Sequence, residues 1–204
     1  MKKTLAIALL AATPVFAGTS AKSPVPAPAP EPCLFTWFVG GSVGYLTEFE
    51  EAMYTLHIGT DTCWNVAGWD VAMFAEIGYT EKDTRGFDPT LTAPTLTDVD
   101  IEIIPITANI KFERALSGNL GAYFGAGLGF SRVDFSVSSG SDSDWVFTAQ
   151  IFAGLVYNVN QNFEVFGGAR WIYFDDADLT IGGASGTLEM DDDFLLEVGV
   201  RYNF

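Results

Sequence analysis

Seven charged side chains stand where a strand would turn them away from its apolar face: Asp70, Glu76, Lys111, Glu164, Arg170, Glu197 and Arg201. Each sits one residue off a run of apolar residues spaced by two, and period two is the signature of a strand. His57, Thr107, Asn109, Gln150 and Asn203 share that parity. If the strands close on themselves, these groups meet in one interior. Four acids and three bases must then neutralise one another, because an unpaired charge there costs several kcal/mol. A narrow polar pore or gate is one use of such a set. A structural plug of salt bridges is the other, and the plug is the expectation.

His57 is the only histidine in the chain. A general base needs a nucleophile beside it and a third group to orient it. No serine lies within two residues of His57, so a satisfied interior histidine is expected rather than a catalytic one. Cys33 and Cys63 are the only cysteines. Both fall at one end of the strand pattern, before its first strand and in the turn between its second and third. A disulfide is expected in an oxidising compartment. Two lone cysteines are too few for a zinc site, which wants four ligands. No cofactor is expected.

The acids cluster between the apolar segments: Glu48, Glu50 and Glu51; Asp98, Asp100 and Glu102; Asp142 and Asp144; Asp175, Asp176 and Asp178; Asp191, Asp192 and Asp193. None carries the calcium-loop pattern of a fixed glycine and a terminal glutamate. A solvated, repulsive surface is expected, with weak divalent-cation bridging to anionic glycolipid as the alternative. The net charge is −16, and losing Lys2 and Lys3 with a leader takes it to −18. That balance argues against nucleic-acid binding, which needs basic patches.

The elements that must position these residues follow from the same alternation. Residues 1–17 read as a secretory signal peptide: a basic start, a short apolar run, and Val15 and Ala17 before the cut. Residues 18–32 form a Pro/Ala-rich leader, expected as an extended spacer. Eight alternating segments then fill 33–204. Their proposed outward faces begin at Trp37, Ala52, Trp69, Ile104, Leu120, Phe147, Phe163 and Leu196 and step by two through five residues each. None of those forty positions is charged, whereas a chain with 18% charged residues would put about seven there. A lysine or arginine facing lipid costs roughly 2–4 kcal/mol at the midplane. Aromatic residues gather at both ends of the segments, Trp37, Trp69, Phe112, Tyr157 and Phe163 at one, Tyr45, Tyr79, Phe130, Trp145 and Tyr173 at the other, as ring girdles at two interfaces would.

Short turns are expected at 61–67, 113–119 and 158–162, and loops at 47–51, 80–98, 135–144 and 175–191. The last loop reads as a small hairpin, Ala177–Ile181 against Thr187–Met190, around Gly182-Gly183-Ala184-Ser185-Gly186. Gly125, Gly127, Gly129 and Ser131 on the fifth segment should leave interior volume for Arg170 and Lys111.

Three stretches carry a family resemblance: Gly40-Gly41-Ser42-Val43-Gly44-Tyr45, Ile104 through Lys111, and Gly121 through Gly129. With the terminal Tyr202 and Phe204 they resemble small bacterial outer-membrane β-barrels of the opacity-protein and OmpA/OmpX kind. The resemblance implies an all-β fold, an eight-stranded antiparallel transmembrane barrel with both termini periplasmic. It also implies that the terminal aromatic strand, Tyr202 and Phe204, is an assembly signal read by periplasmic barrel-assembly machinery. The family includes adhesins, surface-protection proteins and structural anchors. The expected partners are outer-membrane lipid and an unidentified surface ligand at the acidic loops. The expected role is structural or surface-interacting and non-catalytic. A small porin-like channel, a lipid-modifying enzyme and a soluble secreted barrel are the alternatives.

Overall fold

The computed structural model describes residues 35–87, 96–137, 140–181, 184–188 and 190–204. They contain strands and turns and no helix. Ten strands form: β1 (Thr36–Leu46), β2 (Ala52–Val66), β3 (Trp69–Phe87), β4 (Leu96–Ser117), β5 (Leu120–Val137), β6 (Gly140–Asn158), β7 (Phe163–Phe174), β8 (Ala177–Ile181), β9 (Ala184–Leu188) and β10 (Asp193–Asn203). Eight of them close into an antiparallel barrel in which each strand pairs with its sequence neighbours and β10 returns to β1. β8 and β9 form a separate hairpin. The first arm of that hairpin lies where the sequence put it, and the second comes three residues earlier than expected.

Alternation explains the closure. Along β10 the even-numbered residues from Phe194 to Tyr202 are exposed and the odd-numbered ones from Asp193 to Asn203 are buried. Leu56 is 67% exposed, Leu128 61% and Leu196 59%, so the barrel wears its apolar residues outside. The expected outward faces hold on every strand but at Val71, which is buried. From Phe194 to Tyr202 the strand climbs eight residues, about 20 Å of height at roughly 3.3 Å per residue and a tilt of about 40°.

The connections depart from expectation at both ends. At the end holding Thr36 and Phe204, β2 runs on to Val66 after an irregularity between Asp61 and Asn65. The turn is then only Ala67-Gly68, with φ values of 53° and 85°, the double positive φ of a tight type I′ hairpin. β4 likewise runs on to Ser117. At the opposite, loop end, most of what was expected as loop is sheet. β3, β4, β5 and β6 reach 19, 22, 18 and 19 residues, against 11 in β1 and β10. A spanning strand needs about 9–11, so these four continue as a paired sheet well past the apolar band.

Pro105 lies inside β4 and cannot donate to a ladder. The β3–β4 ladder holds its register from Ile77↔Ile106 to Thr80↔Ile103 but lacks the two pairs between them, at Gly78 and Tyr79 opposite Pro105 and Ile104. A side chain on Gly78 would strike the Pro105 ring at 2.9 Å, so glycine there admits the ring.

Candidate functional site

The interior is layered. At the loop end, Leu46, Met53, Ile103, Val133, Val146, Ile172 and Leu195 form a buried apolar plug, with Phe174 and Ala177 packed on it. These residues continue the inward parity of their strands.

Below the plug lies the first polar cluster, built around Arg170. Its guanidinium bonds Glu197 at 3.0 and 3.1 Å through a terminal nitrogen and at 3.3 Å through Nε, and Glu76 through both terminal nitrogens. Gln150 accepts from Arg170 at 3.0 Å and donates to Glu76 at 3.2 Å, Thr107 at 3.1 Å and Asn109 at 2.6 Å. Ser42 donates to Glu197 at 2.8 Å. One cation thus serves two buried carboxylates, and neutral donors satisfy the remaining lone pairs. Charge-assisted, forked contacts of this kind are the strong ones.

An aromatic belt separates this cluster from a second. His57 sits among Phe38, Phe74 and Phe166, with ring centroids 6.1, 5.5 and 5.8 Å away. Phe152 and Tyr123 complete the belt. The second cluster lies toward the termini. Arg201 meets Glu164 at 2.7 Å, Asp61 at 3.5 Å and Glu113 at 3.8 Å. Lys111 donates to Glu113 at 2.7 Å and Asn203 to Glu164 at 2.7 Å. The cations also lie on ring faces, Arg170 over Phe152 at 5.4 Å and Arg201 over Phe38 at 4.6 Å.

Six of the seven charges expected inside are therefore inside: Glu76, Lys111, Glu164, Arg170, Glu197 and Arg201. Asp70 is not. It is exposed beside the tight β2–β3 turn and accepts from Asn65 at 2.9 Å. Asp61 and Glu113 join the interior instead, both from stretches expected as turns. The aromatic belt was missed, although Phe38, Tyr123, Phe152 and Phe166 stand on inward positions that alternation alone marks. The glycines of β5 serve different neighbours from those expected. A Cβ on Gly125 would lie 2.5 Å from the Phe152 ring, and one on Gly127 would collide with Asn109. They clear the belt and the Asn109 amide rather than Arg170 and Lys111.

Between the two clusters lies a cavity of about 40 Å³, lined by His57, Tyr123, Arg170 and Arg201 among others. Roughly 10–15 Å³ is needed per water, so it accommodates a few waters and no passing solute. His57 Nδ1 and Tyr123 Oη, on residues that line it, meet no hydrogen-bond partner among the described residues.

The acids at the loop end are structural acceptors as much as surface charge. Asp193, 3% exposed, accepts from the amides of Thr47, Glu48 and Phe49 at 2.8, 2.9 and 2.8 Å. Asp144 and Asp142 on β6 accept from the amides of Asp178 and Thr180 on β8 at 3.0 and 2.6 Å. Asp176 accepts from Met190 at 3.1 Å. The hairpin is thus tied to β6 through carboxylates. The expectation of a merely solvated, repulsive surface is corrected here: backbone donors at the strand ends need acceptors, and aspartate supplies them. Among the described residues no three acids, cysteines or histidines converge as a metal cage.

A sharp border runs around the barrel at this end. Outward of Tyr79 comes Glu81, outward of Ile104 comes Glu102, outward of Phe130 comes Arg132, and outward of Tyr173 comes Asp175. Tyr79 donates its hydroxyl to Glu81 across that border. At the other end Cys63 lies in β2 within the irregular stretch between Asp61 and Asn65, not in a turn. Cys33, the signal segment 1–17 and the leader 18–32 lie outside the described residues. The Phe204 amide still bonds the Trp37 carbonyl at 2.9 Å, one residue past the end of β10.

No family model matches the chain, and no curated protein matches it. Solved structures do. A major outer membrane protein from Thermus thermophilus superposes with a TM-score of 0.59 at 11% identity, covering 84% of this chain and all of that one (100%). Neisserial surface protein A gives 0.51 at 15% identity, covering 83% and 97%. The amino-terminal β-barrel domain of Pseudomonas aeruginosa OprF gives 0.51 at 17%, again covering 83% and 97%. The fold of the chain is that of small eight-stranded outer-membrane β-barrels.

Proposed function

We propose that this chain is an integral outer-membrane protein that spans the bilayer as a closed, non-catalytic barrel and acts through its loop end, in a structural or surface-interaction role. The belt of exposed uncharged residues, bounded by charge at the loop end, carries the reading. In water such a surface would far exceed the few hundred Å² of contiguous apolar patch that soluble monomers tolerate. In lipid it is the favourable solution, since the closed ladder leaves no open strand edge.

The apolar plug, the two salt-bridge clusters and a residual cavity of about 40 Å³ favour a filled lumen over a porin-like channel. The three phenylalanines around His57, with no hydroxyl bonded to it among the described residues, disfavour a lipid-modifying enzyme. Both termini of the barrel emerge at the end of short turns, which supports a periplasmic position for that end and an extracellular one for the extended strands. Cys33 and Cys63 then share the oxidising periplasm. Linking them closes a loop of about 30 residues, worth roughly 3.5 kcal/mol in the chain-entropy model. Outer-membrane lipid and, through Tyr202 and Phe204, the barrel-assembly machinery are the partners this reading requires. An unidentified surface ligand, or divalent cations at the acidic loops, would meet the opposite end.

One labelling experiment tests these points together. A cysteine replacing Gly186 in the β8–β9 hairpin should react with an impermeant maleimide on intact cells, while Cys33 and Cys63 stay unreactive until reduced. Deleting Phe204 should lower the amount recovered in the outer membrane. Labelling of the Gly186 site only after the outer membrane is opened would reverse the orientation. Recovery of the chain in the soluble fraction would end the membrane reading.

A further inference from the structure

At the loop end a pocket of about 210 Å³ opens above the apolar plug, floored by Leu46, Ile103 and Phe174. Phe49 and Met190 form part of its wall, and among the described residues its lining carries three acids, Glu48, Asp191 and Asp193, and no basic residue. Glu48 and Asp191 are exposed, whereas Asp193 is buried. Asp193 spends its oxygens on amides and the Thr47 hydroxyl. Among the described residues none of the three acids has a cation within ion-pair distance. The cation recorded nearby, Lys82, is committed elsewhere: its Nζ donates to the Phe49 carbonyl at 2.7 Å and lies 5.2 Å from the Phe49 ring centroid.

We propose that this pocket binds a small organic cation, with its apolar body on Ile103, Phe174 and Phe49 and its ammonium at the mouth between Glu48 and Asp191. Size, polarity and charge each select that class. An apolar cavity of about 150 Å³ takes a benzene, so this one holds a ring with a short chain. The floor offers no donor or acceptor that would reward a polar body. The carboxylates repel an anion, and a neutral ligand leaves them without a counter-charge. The site belongs to the barrel itself, so the proposal stands whichever compartment the loop end faces.

The test uses the full chain folded in phosphatidylcholine nanodiscs, with empty nanodiscs as the blank and a heat-shifted gel to show that every variant is folded. Calorimetry compares 3-phenylpropylammonium with the neutral 3-phenylpropan-1-ol and the anion 3-phenylpropionate. The ammonium should saturate one site and bind about tenfold more tightly than the alcohol, as two partly exposed carboxylates would provide, with the anion weakest. The double variant Glu48→Gln/Asp191→Asn should bring the ammonium down to the level of the alcohol. Met190→Trp should weaken both by filling the pocket. Equal binding of ammonium and alcohol by the unaltered chain, no saturable heat from any probe, or a double variant that still prefers the ammonium would each overturn the proposal.

Discussion

Arg170 is the residue on which the interior turns. It holds Glu76 and Glu197 together, and nothing else cationic touches either carboxylate among the described residues. Replacing both charged partners of a buried pair can be neutral, but removing one leaves an uncompensated charge, at about 3–5 kcal/mol. Arg170→Met should therefore lower the urea midpoint of the vesicle-inserted protein strongly, followed by tryptophan fluorescence. The triple variant Glu76→Gln/Arg170→Met/Glu197→Gln should recover most of the loss. An Arg170→Met protein with an unchanged midpoint would mean the cluster is ornamental. This residue-level picture was largely legible in the sequence, because parity alone marks Glu76, Arg170 and Glu197 as inward. It failed where the strand ends were misjudged. Asp61 and Glu113 were assigned to turns and Asp70 to a strand interior, yet a tight turn extends β2 and carries Asp70 out of the lumen. The phenylalanines escaped for another reason: attention to polar inward residues passed over apolar ones with the same parity.

At the scale of elements, the two ends of the barrel obey different rules. The tight β2–β3 turn places Ala67 at φ 53°, a left-handed conformation that costs an L-residue with a Cβ roughly 1–2 kcal/mol. Asparagine before Gly68 is the favoured type I′ pair. Ala67→Asn should raise the same urea midpoint by about 0.5–1 kcal/mol equivalent. A lower midpoint would show that the turn is not the one described. At the loop end, sequence reading stopped the strands too early for a physical reason. Once β3–β6 leave the apolar band, their outward positions turn charged, as at Glu81, Glu102 and Arg132, while inward Ile103, Val133 and Val146 stay apolar and buried, so a search for apolar outward faces stops at the band. The ladder continues because backbone bonding does not depend on side-chain polarity: Glu81↔Glu102 and Asp83↔Asp100 still pair in register. The hairpin β8–β9 was visible through its glycines. Its attachment to β6 through Asp142 and Asp144 was not, since acid clusters in a sequence read first as solvated charge.

At the scale of the whole molecule, one interior does three jobs in layers. The apolar plug seals the loop end, the Arg170 cluster and the aromatic belt fill the middle, and the Arg201–Lys111 cluster closes the terminal end. Five carboxylates, Asp61, Glu76, Glu113, Glu164 and Glu197, face three cations in this column. The excess is met by Gln150, Ser42 and Asn203 donors, so filling is achieved by packing and hydrogen bonds rather than by charge balance alone. The outside is organised by the opposite rule, apolar across the band and acidic above it. This division makes the barrel a rigid mount for its loop end, where the pocket lies. The closed lumen is the claim on which the rest depends, and planar-bilayer recording tests it most directly. Protein shown to be folded by its heat-shifted gel mobility should insert without discrete conductance steps; steady nanosiemens-level openings from the unaltered chain would contradict the account.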